Sequence, residues 1–221
     1  MTTILLARHG ESDWNREARW QGWADRPLTV HGRAQAKALA ERVAHIRLDG
    51  VFSSDLERAR ETAKAVADLQ GLPVTVDRDL REIDVGSWSG LTRAAAEARY
   101  PDAFARWREG SEGWADGETY DDLSDRVLAA VRRIARAHDG GCVLVVTHGG
   151  PIRAIHAAAL DLEVQTYRRL RPVEPNARLS VVCVVDGELT ELCPAAQIDE
   201  MLELDQRDRR AAARRPPTPA G

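Results

Sequence analysis

Short apolar runs alternate along this chain with longer segments of helical periodicity. Residues 3–7 and 142–147 are almost uninterrupted apolar runs, which predicts two buried strands, and residues 51–53 and 74–76 predict two shorter ones. Strands that alternate with helices build a parallel sheet whose faces the helices cover. The pattern therefore predicts an α/β fold: a three-layer sandwich with a mostly parallel central sheet, helices on both faces and a small loop-rich cap.

Several segments between these strands carry helical signals. Apolar side chains at every third or fourth position predict helices from about residue 32 to 46 and over 120–138. Ser54 and Glu57 have the spacing of a capping box, which predicts that a helix begins there. Pro151 suits the first turn of a further helix.

Two other segments have patterns of their own. Residues 77–118 are rich in glycine and tryptophan and predict loops, and we expect residues 88–118 to form a cap that sets specificity. Apolar runs at 179–185 and 189–193 flank Gly187 and predict an antiparallel hairpin.

Length and composition suit one catalytic domain. The chain has 221 residues, of which 43% are hydrophobic, enough for a full core. We expect the domain to occupy residues 1–198. Residues 199–221 are rich in arginine and proline, which predicts a helix end followed by a disordered tail.

Net charge indicates which classes of partner to expect, and cysteine content indicates the cellular compartment. The formal net charge is −4 and the pI is about 5.9, so we expect no nucleic-acid or membrane partner. No segment approaches the ~18 apolar residues of a spanning helix. Cys142, Cys183 and Cys193 have no metal-binding spacing and are interpreted as small buried hydrophobic residues in a reducing cytoplasm. We therefore predict a cytoplasmic protein.

The chemistry-bearing residues follow the predicted strands. Arg8 and His9 end the first strand, and Arg58 lies on the helix after the second. Glu82 follows the strand at 74–76, and His148 ends the strand at 142–147. Because ligands of open α/β sheets bind beyond the carboxyl ends of the strands, we expect these side chains to share one crevice.

Such a group of side chains suits a phosphate. Arginine offers a planar fork of donors to phosphate oxygens, and neighbouring cations favour neutral histidine. A neutral imidazole can act as a nucleophile toward phosphorus, and a carboxylic acid can protonate the leaving oxygen. Gly10 and Gly149 follow the two histidines, and we expect them to let the backbone approach a ligand closely.

Four segments carry a family resemblance. ARHGESDWN, SSDLERARETA, LREIDVGSWSGL and VVTHGGPIRA resemble the signature segments of the histidine phosphatase superfamily, in its phosphoglycerate-mutase-like branch. The resemblance covers roughly residues 3–193, and the four segments occur in the family order.

The resemblance implies a role for each residue of the crevice. His9 would be the nucleophile that becomes phosphohistidine, and Arg8 and Arg58 would bind the phosphoryl oxygens. His148 would hydrogen-bond the transferring group. Glu82 would give a proton to the leaving alcohol and then activate water.

The resemblance also implies a set of substrate-binding residues. Asn15, Gln21 and Gly22 match the loop that closes over the phosphate, and Gly149 would add a backbone N–H. No cofactor and no metal are implied, because the arginines and histidines supply the positive charge.

Other interpretations of these residues remain open. His9 and His148 could be structural, and together with Glu82 they could hold a metal ion, although Arg8 would repel it. The local acid could be Asp84 in place of Glu82. Asn15, Gln21 and Gly22 could serve only the geometry of a turn.

The resemblance leaves three functions to compare. Both a phosphatase and a phosphoglycerate mutase begin with transfer to His9, and a protein that only binds phosphate is a third possibility. Gln21 and Val85 stand where the mutases carry a small hydroxyl residue and a tyrosine. We therefore predict a metal-independent phosphomonoesterase, a monomer or homodimer, that acts on a small phosphorylated metabolite. Trp88, Trp107 and Trp114 either roof its pocket or pack the cap.

Overall fold

The computed structural model describes residues 1–191. The predicted domain boundary at residue 198 and the predicted tail over 199–221 lie outside the described residues, as do the last residues of the predicted hairpin.

Six strands form one sheet whose centre is parallel. In chain order they are β1 (Thr2–Arg8), β2 (Gly50–Ser53), β3 (Val74–Val76), β4 (Cys142–Thr147), β5 (Leu179–Val185) and β6 (Glu188–Thr190). The spatial order is β3-β2-β4-β1-β5-β6. Strands β1 to β4 pair in parallel, whereas β5 and β6 pair antiparallel at one side. The predicted parallel sheet and terminal hairpin are confirmed.

Eight helices surround the sheet in residues 1–191. They are α1 (Asp13–Arg16), α2 (Val30–Val43), α3 (Glu57–Gln70), α4 (Arg93–Arg99), α5 (Pro101–Glu109), α6 (Tyr120–Ala137), α7 (Gly149–Ala159) and α8 (Val164–Leu170). Helices α2 and α3 pack together on one face, and α6 and α7 pack on the other. Strand side chains alternate accordingly: Ile4 and Leu6 join the core under α6 and α7, while Leu5 is buried outside that cluster. The fold is the predicted three-layer α/β sandwich.

The beginning of α3 differs from its prediction. The capping box at Ser54 and Glu57 does not form, because the helix begins at Glu57 after Leu56, which gives no side-chain cap. The Ser54 hydroxyl instead accepts the Leu56 N–H in a turn at 3.3 Å. The Glu57 N–H donates to the carboxylate of Asp25 at 2.6 Å, so a distant loop satisfies the helix end.

The segment predicted as loops contains regular structure. Residues 78–80 and 86–88 form 3-10 turns, and α4 and α5 fill much of the cap. A cluster of aromatic rings packs beneath these helices: Trp20, Trp88, Phe104, Trp107 and Trp114. Aromatic packing compensates for helices too short to be stable alone.

The two cysteines in the described part of the chain differ. Cys142 is a free thiol. Cys183 is fully buried and disulfide-bonded, so the expectation of reduced cysteines is wrong at this position. No helix in residues 1–191 is long and apolar enough to cross a membrane.

Two glycines bring α2 against the loop after β1. A side-chain carbon on Gly10 would overlap the Gly32 carbonyl oxygen, and one on Gly32 would overlap the Glu11 carbonyl oxygen. The Thr29 side chain caps α2 at the Gly32 N–H, so the helix begins two residues before the predicted start. This close backbone contact fixes the loop that follows His9.

Gly32→Ala tests this contact, because helix propensity and sterics oppose each other there. On propensity alone alanine stabilises a helix by about 1 kcal/mol relative to glycine. The overlap with the Glu11 carbonyl should reverse the sign, and we expect a loss of about 1–3 kcal/mol in the free energy of unfolding. Urea denaturation measures it, with Ala34→Gly on the exposed side of α2 as the propensity control. An unchanged or raised stability of Gly32→Ala would contradict the contact.

Candidate active site

A cavity of about 350 Å³ opens at the carboxyl edge of the sheet, beneath the cap. Its wall joins the end of β1, the 82–85 segment, the beginning of α7 and the cap aromatics. The predicted residues that line it are Arg8, His9, Asn15, Gln21, Gly22, Arg58, Glu82 and Gly149. The crevice expected from the strand ends is therefore present.

His9 is buried and held in one orientation. Its Nδ1 lies 2.7 Å from the Gly10 carbonyl oxygen, which only accepts, so Nδ1 carries the proton. The lone pair of the neutral ring is therefore on Nε2. Burial, followed by the charges of Arg58 and Arg8, holds the pKa of His9 well below its usual value. The imidazole is a neutral base at physiological pH.

His148 lies behind His9 and is fully buried. The two ring centroids are 5.0 Å apart, and neither nitrogen of His148 has a hydrogen-bond partner in the described residues. Burial, followed by the charge of Arg58, holds the pKa of His148 well below its usual value. The ring is adjacent to the nucleophile but does not form part of the cavity wall.

Backbone carbonyls anchor the two guanidinium groups near His9. Arg8 Nη1 donates to the Glu174 oxygen at 2.7 Å. Arg58 donates through Nη1 to Ala24 at 2.8 Å and through Nη2 to Gly22 at 2.9 Å. Among the described residues the buried Nε atom of each arginine has no hydrogen-bond partner. Burial, the largest cause, lowers the pKa of Arg58 to about 10.

Glu82 is the acid that lines the cavity. Its Oε1 accepts the Gly150 N–H at 2.9 Å and the Ile83 N–H at 3.0 Å, which orients the carboxyl group at the beginning of α7. Asp84 accepts the Gly86 N–H and lies outside the cavity wall. Of the two acids that the sequence left open, geometry favours Glu82.

The loop after α1 is built by a buried serine. Ser12 caps α1, and its hydroxyl donates to the Gln21 Oε1 at 2.8 Å. That contact leaves Nε2 of Gln21 as a donor for an anion. Gly22 has a φ of 51°, a conformation that favours glycine, and a side-chain carbon there would meet Val85. Gln21 and Gly22 therefore serve the geometry of the turn and also line the cavity.

The glycines after the histidines serve packing against protein neighbours. A carbon added to Gly149 would overlap Val173, and one added to Gly150 would overlap the Glu82 carboxylate. The expected close approach of backbone to ligand at Gly10 and Gly149 stays a prediction, and Gly149 lies in the cavity wall.

Comparison with known proteins agrees with this geometry. The family described as Histidine phosphatase superfamily (branch 1) matches residues 4–193. The chain belongs to the histidine phosphatase superfamily. The resemblance of the four segments is confirmed.

Named relatives within the superfamily include both phosphatases and a mutase-like protein. Phosphoglycerate mutase-like protein 4 of Arabidopsis thaliana is 41% identical over 84% of this chain and 80% of its own length. Metal-independent phosphoserine phosphatase of the same plant is 40% identical over 71% and 68%. A solved mycobacterial glucosyl-3-phosphoglycerate phosphatase in complex with VO3 is 33% identical, covers 85% of this chain and 95% of its own, and has a TM-score of 0.78.

The sequence did not predict the role of Arg126, which holds the backbone around Glu82 in this histidine phosphatase. Arg126 on α6 pairs with Glu118 and donates to the carbonyls of Asp79 and Arg81, each at 2.8 Å. It also donates to the Glu82 carbonyl at 2.9 Å, as Trp23 does at 2.8 Å. One side chain thus fixes the chain path on both sides of residue 81. No spacing in the sequence signals this contact.

Asn176 was also missed. Its Nδ2 donates to the His9 carbonyl at 2.9 Å and to the Asn15 Oδ1 at 3.2 Å. The loop before β5 therefore ties the nucleophile to the 12–22 loop. Asn176 lies in a segment without periodicity, and nothing local marks it.

The metal alternative finds little support from the residues that this histidine phosphatase offers. In residues 1–191 no group of three histidine, cysteine or acidic side chains is placed to hold a metal ion. Arg8 and Arg58 instead direct positive charge toward His9. An anion fits this site better than a cation does.

The burial of two neutral histidines should make the free energy of unfolding depend on pH. The pKa of His9 and of His148 lies below that of the unfolded chain, so unfolding takes up protons as pH falls below about 6.5. The stability that the two neutral histidines contribute should be fully present above that pH and be lost below it. The free energy of unfolding should then fall with a slope approaching about 2.7 kcal/mol per pH unit for two histidines.

Urea denaturation between pH 5 and 7.5, in buffer without phosphate, measures this slope. His9→Ala should reduce the slope by about 1.4 kcal/mol per pH unit. His31→Gln, at an exposed position outside the site, is the matched control and should leave it unchanged. Equal slopes in the wild type and His9→Ala would show that His9 is not held neutral by the fold.

Proposed function

We propose that this histidine phosphatase is a metal-independent phosphomonoesterase, which hydrolyses small phosphorylated metabolites through a phosphohistidine at His9. One observation carries the proposal. A neutral imidazole with its lone pair on Nε2 lies beside two guanidinium groups whose buried Nε atoms have no partner in residues 1–191. Those donors suit phosphoryl oxygens, since an unpaired buried donor costs about 1–3 kcal/mol.

The first half-reaction transfers the phosphoryl group. Nε2 of His9 attacks phosphorus, the N–P bond forms and the P–O bond to the alcohol breaks. Glu82, protonated in this step, gives its proton to the departing oxygen. Arg8 and Arg58 stabilise the charge on the non-bridging oxygens, as preorganised donors do.

The second half-reaction returns the enzyme to its starting state. Glu82, now a carboxylate, takes a proton from water while the water oxygen attacks phosphorus. The N–P bond breaks, inorganic phosphate forms and His9 is again neutral with its lone pair on Nε2. Both halves use the same acid, placed by the Gly150 and Ile83 N–H groups.

Hydrolysis is favoured over mutase chemistry by the pocket wall. Gln21 and Val85 line it where the mutases carry a small hydroxyl residue and a tyrosine. Two of the named relatives are phosphatases, for phosphoserine and for glucosyl-3-phosphoglycerate. We therefore expect net hydrolysis of a phosphomonoester.

Phosphate release from a panel of phosphomonoesters in the presence of a chelator tests the proposal. We expect release by the wild type and none by His9→Ala, with both proteins folded by circular dichroism. Adding 3-phosphoglycerate with and without 2,3-bisphosphoglycerate tests the mutase reaction. Interconversion without release would make the enzyme a mutase. Loss of release on chelation would refute metal independence.

Glu82→Gln tests the proton donor. The kcat/KM for phosphoserine, whose alkoxide leaves poorly, should fall by about 10²–10⁴. The kcat/KM for p-nitrophenyl phosphate should fall far less, because nitrophenolate leaves without a proton. Asp84→Asn is the matched control, since Asp84 is an acid two residues away and outside the cavity wall, and it should preserve the wild-type ratio. Equal losses on both esters would exclude Glu82 as the general acid.

A further inference from the structure

The cavity contains more positive charge than a phosphoryl group requires. Glu82 is the one acid among the described residues that line it, against six arginines: Arg8, Arg19, Arg58, Arg93, Arg153 and Arg168. Arg19 has its own partner, Glu17. Arg8 and Arg58 serve the phosphoryl group in the proposed reaction. Three arginines therefore have no assigned task.

Two of these three, Arg153 on α7 and Arg168 on α8, line the cavity and interact electrostatically with each other. Arg153 on α7 interacts with Arg8 and Glu82 on one side and with Arg168 and Tyr120 on the other. The charges nearest to His9 in their effect are those of Arg58 and Arg8. Arg153 and Arg168 line the same cavity from α7 and α8.

Arg168 is held in place by the cap and by the beginning of α6. Its Nη2 donates to the Trp107 carbonyl at 2.6 Å. Its Cζ lies 5.1 Å from the ring centroid of Trp107 and 5.2 Å from that of Tyr120. Rings that cover a guanidinium leave its edge as the donor surface.

Each of the two arginines has one backbone acceptor: Arg168 Nη2 donates to Trp107, and Arg153 Nη2 donates to the Arg171 carbonyl at 3.4 Å. In residues 1–191 the buried Nε atoms of both have no hydrogen-bond partner, and neither guanidinium forms an ion pair with a carboxylate. Burial and the charge of Arg168 lower the pKa of Arg153, although Tyr120 opposes this. Two close guanidiniums without a counter-ion are unfavourable until an anion binds between them.

We propose that Arg153 and Arg168 form a second anion site, which binds a carboxylate on the leaving alcohol. This inference rests on the proposed phosphatase function and narrows its substrates to phosphomonoesters of small hydroxy acids or amino acids. A planar carboxylate accepts in the plane of a guanidinium edge, which is the surface that Arg168 presents. A cavity of about 350 Å³ is at the lower end for small-molecule sites and suits a compact substrate.

A pair of esters that differ only by the carboxylate tests the site. We compare kcat/KM for O-phosphoserine and O-phosphoethanolamine. The wild type should favour phosphoserine at least tenfold, the effect of one charge-assisted hydrogen bond. Arg168→Gln and Arg153→Gln should bring the ratio toward one, and Arg168→Lys should retain part of it. Arg169→Gln, the neighbour outside the cavity wall, is the matched control and should keep the wild-type ratio.

Several outcomes would overturn the proposal. A wild-type ratio near one would do so, and so would an unchanged ratio in Arg168→Gln. A third comparison uses 1,3-propanediol bisphosphate and 1,3-propanediol monophosphate, with kcat/KM measured for both. A larger gain from its second phosphoryl group than from the serine carboxylate would refute the carboxylate assignment.

A binding measurement separates this inference from the proposed function. Calorimetry measures ligand affinity on His9→Ala, which keeps Arg153 and Arg168. The measurement does not depend on turnover or on the folding of a variant at either arginine. Phosphoserine should bind at least tenfold more tightly than phosphoethanolamine, and equal affinity would refute the second site. Absence of turnover in the wild type would refute the phosphatase function alone.

Discussion

The structure depends on a concentration of positive charge that the protein itself leaves largely uncompensated. Arg58 is fully buried and Arg8 half-buried beside two neutral histidines, with a single carboxylate, Glu82, in the described cavity wall. Removing a guanidinium from water costs several kcal/mol unless it is paired. Backbone carbonyls offset part of this desolvation cost at Arg8 and Arg58. The apolar packing on the two faces of the sheet must supply the remaining free energy. In the proposed reaction the phosphoryl dianion of the substrate completes the balance.

That constraint explains why the surrounding backbone is so closely packed. β1 lies between β4 and β5, so the loop that carries His9 leaves a fully paired strand. The contact of Gly10 with Gly32 then fixes the loop against α2. On the opposite side, Gly150 lets α7 approach the Glu82 carboxylate. Repelling groups stay in position because each is attached to a different rigid element.

The sequence predicted the sheet and the residues that end its strands, because both depend on local patterns. Apolar runs identify buried strands, and the carboxyl-edge rule brings their ends together without knowledge of the packing. The beginning of α3 was predicted wrongly because Asp25, far away along the chain, satisfies the Glu57 N–H. The cap helices were missed because they are short and depend on aromatic packing.

The residues around the site that escaped prediction act over long distances. Arg126, Asn176 and Arg168 meet their partners through contacts 47, 167 and 61 residues away in the chain. No local motif encodes such pairs. Arg153 is the exception, since it lies four residues after Gly149 and so shares its face of α7. Helical spacing is the local signal that could have placed it beside the cavity, although Arg153 was not predicted.

The attachment of the cap has a consequence for how this enzyme can diverge. Its first end is hydrogen-bonded to Trp20 through the backbone of Gly90 and Leu91, and its last end is held by Glu118 against Arg126. Between these anchors Phe104 and Trp114 join the core of the domain, so the rings fix the height of the cap. The exposed side chains between them carry no such constraint, and changes there can fit new alcohols while the residues beneath the cap stay the same.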